Sequence, residues 1–491
     1  MNFYTFDKDP HMRNHAILAA RSRRDFLRRS ACGFGSVALA GLCNADTGRK
    51  ASPLAPKTPH HAPRAKRVIF LWMQGGPSHM DLFDYKPRLV KEGGSKFPIA
   101  LPKNYEAPGI GRNLLMSPIS TFSRQGKAGL LMSDLLPNLG KVSEELCILN
   151  GMQADSEAHA PAVRQLHTGH SVMVRPSIGS WVTYGLGTEN QNLPGFVTIC
   201  PQVSGDGGST QLFSNAILPA IYQGTPIGDA GNAKEAQIRY LQDKAISSTL
   251  QRSQVDLIQS MNRRYLHDLE TDQNMEGMIE SFEIAFRMQA EAPSLLDISK
   301  ESAATLALYG VGEKETDNFG RQCLLARRMV EAGVRFVQIT DGGWDHHGSI
   351  RKGLPQRCKA VDRPIAGLLT DLRSRGLLDD TLLVWSGEFG RTPFEQDLSE
   401  GKAPAEDRGR EHNPKGFTAW MAGAGIQGGI THGLTDEYGW EAVDGRTHIH
   451  DLHATILHLL GMDHERLTYR YMGRDFRLTD VFGNVVKKIL T

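Results

Sequence analysis

Between residues 341 and 347 the chain reads Asp-Gly-Gly-Trp-Asp-His-His, two carboxylates and two imidazoles in seven positions. Nitrogen and oxygen donors mixed in this way suit a divalent cation, zinc or manganese before calcium, because calcium prefers an all-oxygen cage. The same stretch also reads as a polar loop whose aspartates cap a turn and whose histidines are solvated. Three further segments favour chemistry. Gln74-Gly75-Gly76-Pro77-Ser78-His79-Met80-Asp81 offers Ser78, His79 and Asp81, Asp155 to Pro161 offers His159, and Gly387-Glu388-Phe389-Gly390-Arg391 offers Glu388 and Arg391. Each has a plain alternative: Ser78 or Asp81 as a helix cap, His159 as a cap or packing residue. Together they supply Asp81, Asp345, His347 and Glu388 as candidate metal ligands, with Arg391 or Arg164 to clamp an anionic group. With no Ser, Thr or Cys at the helix entrance near His159, attack by a metal-activated water is simpler than a covalent route, and histidine as nucleophile is the other option.

These residues share a crevice only if the segments before them are parallel strands. Arg67 to Met73, Val334 to Thr340 and Leu382 to Ser386 are apolar, β-branched runs of that kind, and each stops just before its polar cluster. Leu146 to Leu149 is a fourth run, followed by a helix that opens near Pro161. Helical patterns over 318–331 and 361–372 separate the later strands, so the second half alternates as a parallel α/β sheet requires. Ligands collect beyond the carboxyl ends of such strands. From about 232 to 300 the chain turns amphipathic, with Leu257, Ile258 and Met261 and then Phe282 and Phe286 at helical spacing, which predicts a helical insertion. His448, His450, His453 and His458 form a second histidine group; His450 and His458 share a helix face with Ala454, while His448 lies near enough to the helix start to reach the crevice.

Composition limits the alternatives. The 491 residues are 40% apolar with a formal charge of +2, and the basic residues form no stripe, so a nucleic-acid partner is not indicated. The six cysteines, Cys32, Cys43, Cys147, Cys200, Cys323 and Cys358, show no Cys-x-x-Cys spacing and read as isolated thiols. Ser22-Arg23-Arg24-Asp25-Phe26-Leu27-Arg28 resembles a twin-arginine export signal and is followed by a short apolar run to Leu42. That run is too short for a stable membrane span once the signal is removed. Residues 1–45 are therefore read as signal peptide, 46–66 as a flexible Pro-rich spacer and 67–491 as the folded domain. The protein is expected to reach the periplasm, or another extracytoplasmic space, already folded through the twin-arginine translocon.

Longer motifs carry a family resemblance. Val361 to Leu372, the turn Gly376 to Thr381 and the ending Ser386-Gly387-Glu388 resemble the sulfatase segment that closes on Ser-Asp-His-Gly, and His159-Ala160-Pro161 through Leu166-His167-Thr168-Gly169 resembles the sulfatase nucleophile motif. Asp451 to Leu457 resembles a late sulfatase helix. Gln-Gly-Gly-Pro-Ser-His-x-Asp, Trp-Asp-x-His-Gly, Glu-Phe-Gly-Arg-Thr-Pro and Arg-Glu-His-Asn-Pro together are similar to the exported family called domain of unknown function 1501. The resemblance implies an alkaline-phosphatase-like three-layer α/β sandwich with a mostly parallel central sheet. It also implies a metal-dependent hydrolase of sulfate or phosphate esters, with an anionic ester or sulfated polysaccharide as substrate. On the family pattern His159 falls at the nucleophile position and His412 at a late histidine, both catalytic candidates, with Ser78, His79, Arg164, Arg391 and Asn413 toward the substrate. Gly75 and Gly76 stand where a sulfatase has paired aspartates. A non-catalytic envelope-binding protein on the same fold is the competing expectation.

Overall fold

The computed structural model describes residues 52–101, 107–201, 209–229, 231–238, 241, 245–268, 273–399 and 402–491. The expected signal peptide, with its twin-arginine motif, Cys32 and Cys43, lies outside the described residues. The chain forms two compact units. One contains residues 243–275 and with them the helix Ser248–Asp268; the other, residues 53–242 and 276–491, contains the sheet and every candidate site residue.

The strands that matter for the site are β1 (Arg67–Met73), β2 (Leu146–Gln153), β3 (Phe196–Ile199), β4 (Thr225–Ile227), β5 (Phe336–Asp341), β6 (Thr381–Ser386), β7 (Gly390–Gln396), β8 (Gly409–Asn413), β9 (Phe417–Ala422), β10 (Ile430–His432) and β11 (Thr447–His448). Nine of them form one sheet in the order β10-β2-β9-β6-β1-β5-β3-β4, with β11 alongside the end of β2. Every neighbouring pair in it is parallel except the two made by β9. The remaining two, β7 and β8, pair antiparallel with each other, outside the sheet. Central β1 aligns Trp72 with Thr340 of β5 and with Ser386 of β6, so three polar loops leave the sheet side by side.

Both faces are covered. The longer helices of the sheet unit are α1 (His159–Thr168), α2 (Ile178–Leu186), α3 (Gln273–Leu296), α4 (Asp317–Glu331), α5 (Ile350–Ser374) and α6 (Ile449–Leu459). On the face of Phe70 and Trp72, His167 of α1 packs edge-on against both rings, and Gly179 of α2 lies against Phe196. α6 buttresses α1 by hydrogen bonds from His450 Nε2 to Gly169 O and His453 Nε2 to Leu166 O, each 2.8 Å. On the opposite face, Cys323 of α4 lies near the Asp341 end of β5, and α4 packs along α5. The result is a three-layer α/β sandwich with a mostly parallel sheet. Residues Val68 to Met73 are all buried, the continuous apolar run of a strand covered on both sides.

Residues 53–65 differ from the flexible spacer that their prolines suggest. Leu54 and Ala65 are buried, Thr188 N donates to Leu54 O, Lys57 N donates to Leu186 O, and Arg64 N and Ala65 N both donate to Leu459 O. Lys57 Nζ lies 5.0 Å from the centre of the Tyr184 ring. Proline rigidity suits this: an extended strap loses little entropy on docking, and its apolar residues supply the contact. Cys147, Cys200, Cys323 and Cys358 are free and buried. Among the described residues no helix is long and apolar enough to cross a membrane.

Candidate metal centre

Four side chains meet beyond the carboxyl edge of the sheet: His159, Asp345, His347 and His412, with one donor atom of each within 4.8 Å of the others. His159 opens α1, in the loop region that follows β2; Asp345 and His347 come from the loop that follows β5; His412 lies on β8, in register with Arg391 of β7. The loop after β5 can come this close to β1 because of Gly75, whose φ is +118°. A Cβ on Gly75 would stand 2.4 Å from Asp345 N, and one on Gly76 would stand 2.6 Å from the Phe389 ring. An aspartate pair therefore has no room at 75 and 76.

Asp345 is the hub. Its Oδ1 lies 3.0 Å from His347 Nε2 and 3.1 Å from His412 Nε2, and its Oδ2 lies 3.2 Å from His159 Nε2. Arg391, fully buried, donates to Asp345 Oδ1 at 2.6 Å and spends its other N–H groups on Gly75 O, Gly76 O and Arg410 O. The far side of each ring is held as well. His159 Nδ1 bonds Glu388 Oε1 at 2.8 Å, His347 Nδ1 bonds Gln396 Oε1 at 2.6 Å, and His412 Nδ1 bonds the Glu157 carbonyl at 2.6 Å. Phe389 closes one side, its ring centre 5.0 Å from His159 and 4.3 Å from His412. The side chains of Asp345 and His347 keep 29% and 27% of their surface exposed, so the opposite side is open to solvent.

The hydrogen-bond pattern assigns the tautomers. A carboxylate, an amide oxygen and a peptide carbonyl only accept, so each Nδ1 must carry the proton. Each Nε2 is then either a lone pair or part of an imidazolium. Three imidazolium ions and Arg391 around one carboxylate is an unfavourable charge count, whereas three lone pairs and a carboxylate are a cation's donor set. His159 Nε2 is buried and makes no hydrogen bond of acceptable geometry, although Asp345 lies near it. Electrostatics agree. Burial, reinforced by the positive charge of Arg391 and the neighbouring histidines, depresses His412 to about 3 despite its bond to Asp345. Burial also opposes charge on His159, but Asp345 and Glu388 push it up to about 9. Burial would raise Asp345, yet the three histidines and Arg391 hold it well below the usual carboxylate range.

The other candidates lie apart from the four. Glu388, expected as a ligand, stands one bond behind: Oε1 accepts from His159 and from Gly75 N at 2.9 Å, and Oε2 accepts from Trp72 Nε1 at 3.2 Å. Asp81, the other expected ligand, is fully buried between Ser78 Oγ at 2.5 Å, Ile119 N at 2.8 Å and Arg410 Nε at 2.9 Å. It is outside the cluster because the Gly75-Gly76 turn leads into a 3-10 helix, His79–Asp81, that aims it at Arg410. Ser78 is thereby also occupied. His79 Nε2 bonds Gly439 O, and Asn413 Nδ2 bonds Trp440 O, both in the interior. Arg164 donates to Ser171 O and Val172 O beyond the end of α1, and Arg391 is committed as described, so neither is free to clamp an anion. His346 is buried with its ring against Gly353. His448 caps α6 and pairs with Asp155, and His450 braces α1. Gln396, Glu411 and Phe389 support the centre without having stood out in the sequence. β8, Gly-Arg-Glu-His-Asn, is wholly buried yet polar, so no apolar pattern marks it as a strand.

Fold and site together define an α/β protein with a histidine-rich metal-type centre at the carboxyl edge of its sheet. The chain belongs to the family described as protein of unknown function (DUF1501), whose model matches residues 65–490. No curated protein matches the sequence closely enough to count as a relative. Among solved structures it is similar to the lipoteichoic acid synthase LtaP from Listeria monocytogenes, at 8% identity and a TM-score of 0.39 over 88% of this chain and 79% of that one. It is similar to the PsFucS1 sulfatase from Pseudoalteromonas sp., at 14% identity and TM-score 0.35 over 88% and 72%. Alkaline phosphatase from the Antarctic bacterium TAB5 follows, at 10% identity and TM-score 0.29 over 76% and 95%. These likenesses are of broad layout.

Proposed function

We propose that the protein is an exported, metal-dependent hydrolase of sulfate or phosphate esters, with a sulfated polysaccharide as the substrate class. In this reading His159, Asp345, His347 and His412 hold the metal. The observation that carries it is the convergence of three Nε2 atoms on Asp345 while an acceptor holds each Nδ1. Three imidazoles and one carboxylate favour zinc, with manganese next. A divalent ion there supplies a Lewis acid for an ester oxygen and lowers the pKa of water.

The chain's own residues do the rest. Glu388, Gln396 and the Glu157 carbonyl aim the rings, Arg391 fixes Asp345, and Phe389 keeps water from one side. The exposed side of Asp345 and His347 leaves an approach for substrate. α1 starts at His159 with no side-chain cap, so its first amides offer partial positive charge to an anionic group. His159 and His412 then serve as ligands rather than as nucleophile and proton donor, and Ser78, His79, Arg164 and Asn413 serve the fold.

Metal analysis of protein produced with zinc, manganese and calcium supplied, paired with aryl sulfate and aryl phosphate assays, tests the reading. A bound divalent ion and turnover of one ester are expected. No metal and no turnover overturns it, and bound metal without turnover leaves an envelope-binding protein.

A further inference from the structure

Gln396, at the end of β7, is 1% exposed, and its amide is fully engaged. Nε2 donates to Pro108 O at 2.8 Å and to Glu411 Oε2, while Oε1 faces His347 Nδ1 at 2.6 Å. Two acceptors can be met only by the NH2 group, so the amide cannot flip, and its oxygen must face the imidazole. Glu411 is itself buried. Its Oε1 accepts the His412 backbone N–H at 2.8 Å and lies 3.4 Å from His412 Nδ1 and 3.7 Å from His347 Nδ1. One carboxylate thus orients an amide that orients a histidine, and the same carboxylate holds the backbone of a second histidine.

We propose that Gln396 and Glu411 are positioning residues that lock His347 in its Nδ1–H tautomer and so set the metal affinity of the centre. The inference rests on the metal-centre reading above. The interposed amide has a consequence of its own. It gives His347 a neutral acceptor where His159 has a carboxylate, so the two rings differ in donor strength although both present Nε2. A purely mechanical role, stitching the loop at Pro108 to β7, would leave the tautomer of His347 untouched.

The test reads tautomer and affinity separately, in the full chain. Nitrogen-15 histidine spectra of the metal-free protein report which His347 nitrogen is protonated, and competition with a chromogenic chelator reports zinc affinity. Gln396→Leu removes the acceptor; it is expected to populate the Nε2–H form and to weaken zinc binding by roughly 10–100-fold. Glu411→Gln keeps the volume but leaves one oxygen for two donors, so it should loosen the amide and weaken zinc in the same direction. Adding Gln396→Glu to Glu411→Gln restores a fixed acceptor for His347 and should recover both readouts. Should Gln396→Leu not fold, the Glu411 pair of variants decides. An unchanged tautomer and affinity in Glu411→Gln overturns the proposal whatever the activity. Zinc binding that responds as stated, in a protein that turns over no ester, upholds it while the hydrolase reading fails. A wild-type chain that binds no zinc overturns both.

Discussion

Glu388→Gln is the substitution whose outcome the geometry constrains most. Glu388 is fully buried, and its two oxygens take three donors: Gly75 N–H, His159 Nδ1–H and the Trp72 indole N–H. Glutamine has one oxygen. If that oxygen stays with Gly75 and His159, the new NH2 faces the indole N–H and strands one buried donor. If the amide turns over, two donors are stranded, or His159 must move its proton to Nε2 and stop being a lone-pair donor. The first arrangement is cheaper, at about 1–3 kcal/mol for the stranded group. Zinc affinity should fall separately, because a neutral acceptor makes His159 a weaker ligand; a loss of roughly 10–100-fold is about 1.4–2.7 kcal/mol. Thermal melts of the metal-free protein read the first quantity, and chelator competition reads the second. Adding Trp72→Phe removes the stranded donor, so the double variant should regain part of the stability while its affinity stays low. Wild-type zinc affinity in Glu388→Gln would refute the claim that this carboxylate aims His159.

Three other outcomes follow from the same structure. Asp81→Ala is expected to cost about 3–5 kcal/mol, because it leaves the Arg410 guanidinium buried without its carboxylate, yet to leave the zinc affinity of folded protein unchanged; a drop in affinity would bring Asp81 back as a ligand. Gly75→Ala should lower the melting temperature and the metal affinity together, since its Cβ overlaps Asp345 N and its φ is +118°, and wild-type values for both would contradict the crowding argument. Burial pushes His167 down to about 4 and His453 down to about 3, so both stay neutral when folded while the unfolded chain binds protons below pH 6.5. Their stabilisation is complete above pH 6.5 and is lost as pH falls: about 1.4 kcal/mol each, about 3 together, by pH 5.5. Denaturant melts at pH 7.5 and 5.5 measure it, and equal stability at the two values would contradict the assignment.

The sheet was legible because its strands are extreme. Val68 to Met73, Phe336 to Ile339 and Leu382 to Trp385 are unbroken apolar runs, the pattern of strands covered on both faces, and the ladder pairs them in parallel as the strand–helix alternation requires. Asp345 and His347 were legible for a related reason: they lie on a short loop after such a strand, where local sequence fixes position. His412 was reachable only through family resemblance, since β8 is polar throughout and reaches the centre by pairing with β7. The support given by Glu388, Gln396 and Glu411 depends on which atoms face which across hundreds of residues, and spacing carries no such information. Asp81 shows the converse. Its position after β1 suggested a ligand, but two glycines redirect the backbone, and its carboxylate ends in an ion pair with Arg410.

Gly75-Gly76 and Asp345 are best understood as one structural change. The resemblance to sulfatases puts a carboxylate pair where β1 ends, and this chain has none there. Any side chain at 75 would overlap the backbone of Asp345, and any at 76 would overlap the Phe389 ring. The bare backbone is what lets the loop after β5 close over the end of β1 and carry its own carboxylate in. Arg391 then ties the pieces together, donating to the carbonyls of Gly75 and Gly76 and to Asp345. The acid has not been lost from the centre; it arrives from the neighbouring strand, and the imidazoles of three further segments gather around it. Restoring an aspartate at 75 would therefore displace Asp345 rather than add a ligand, and such a variant should bind zinc more weakly than the wild type.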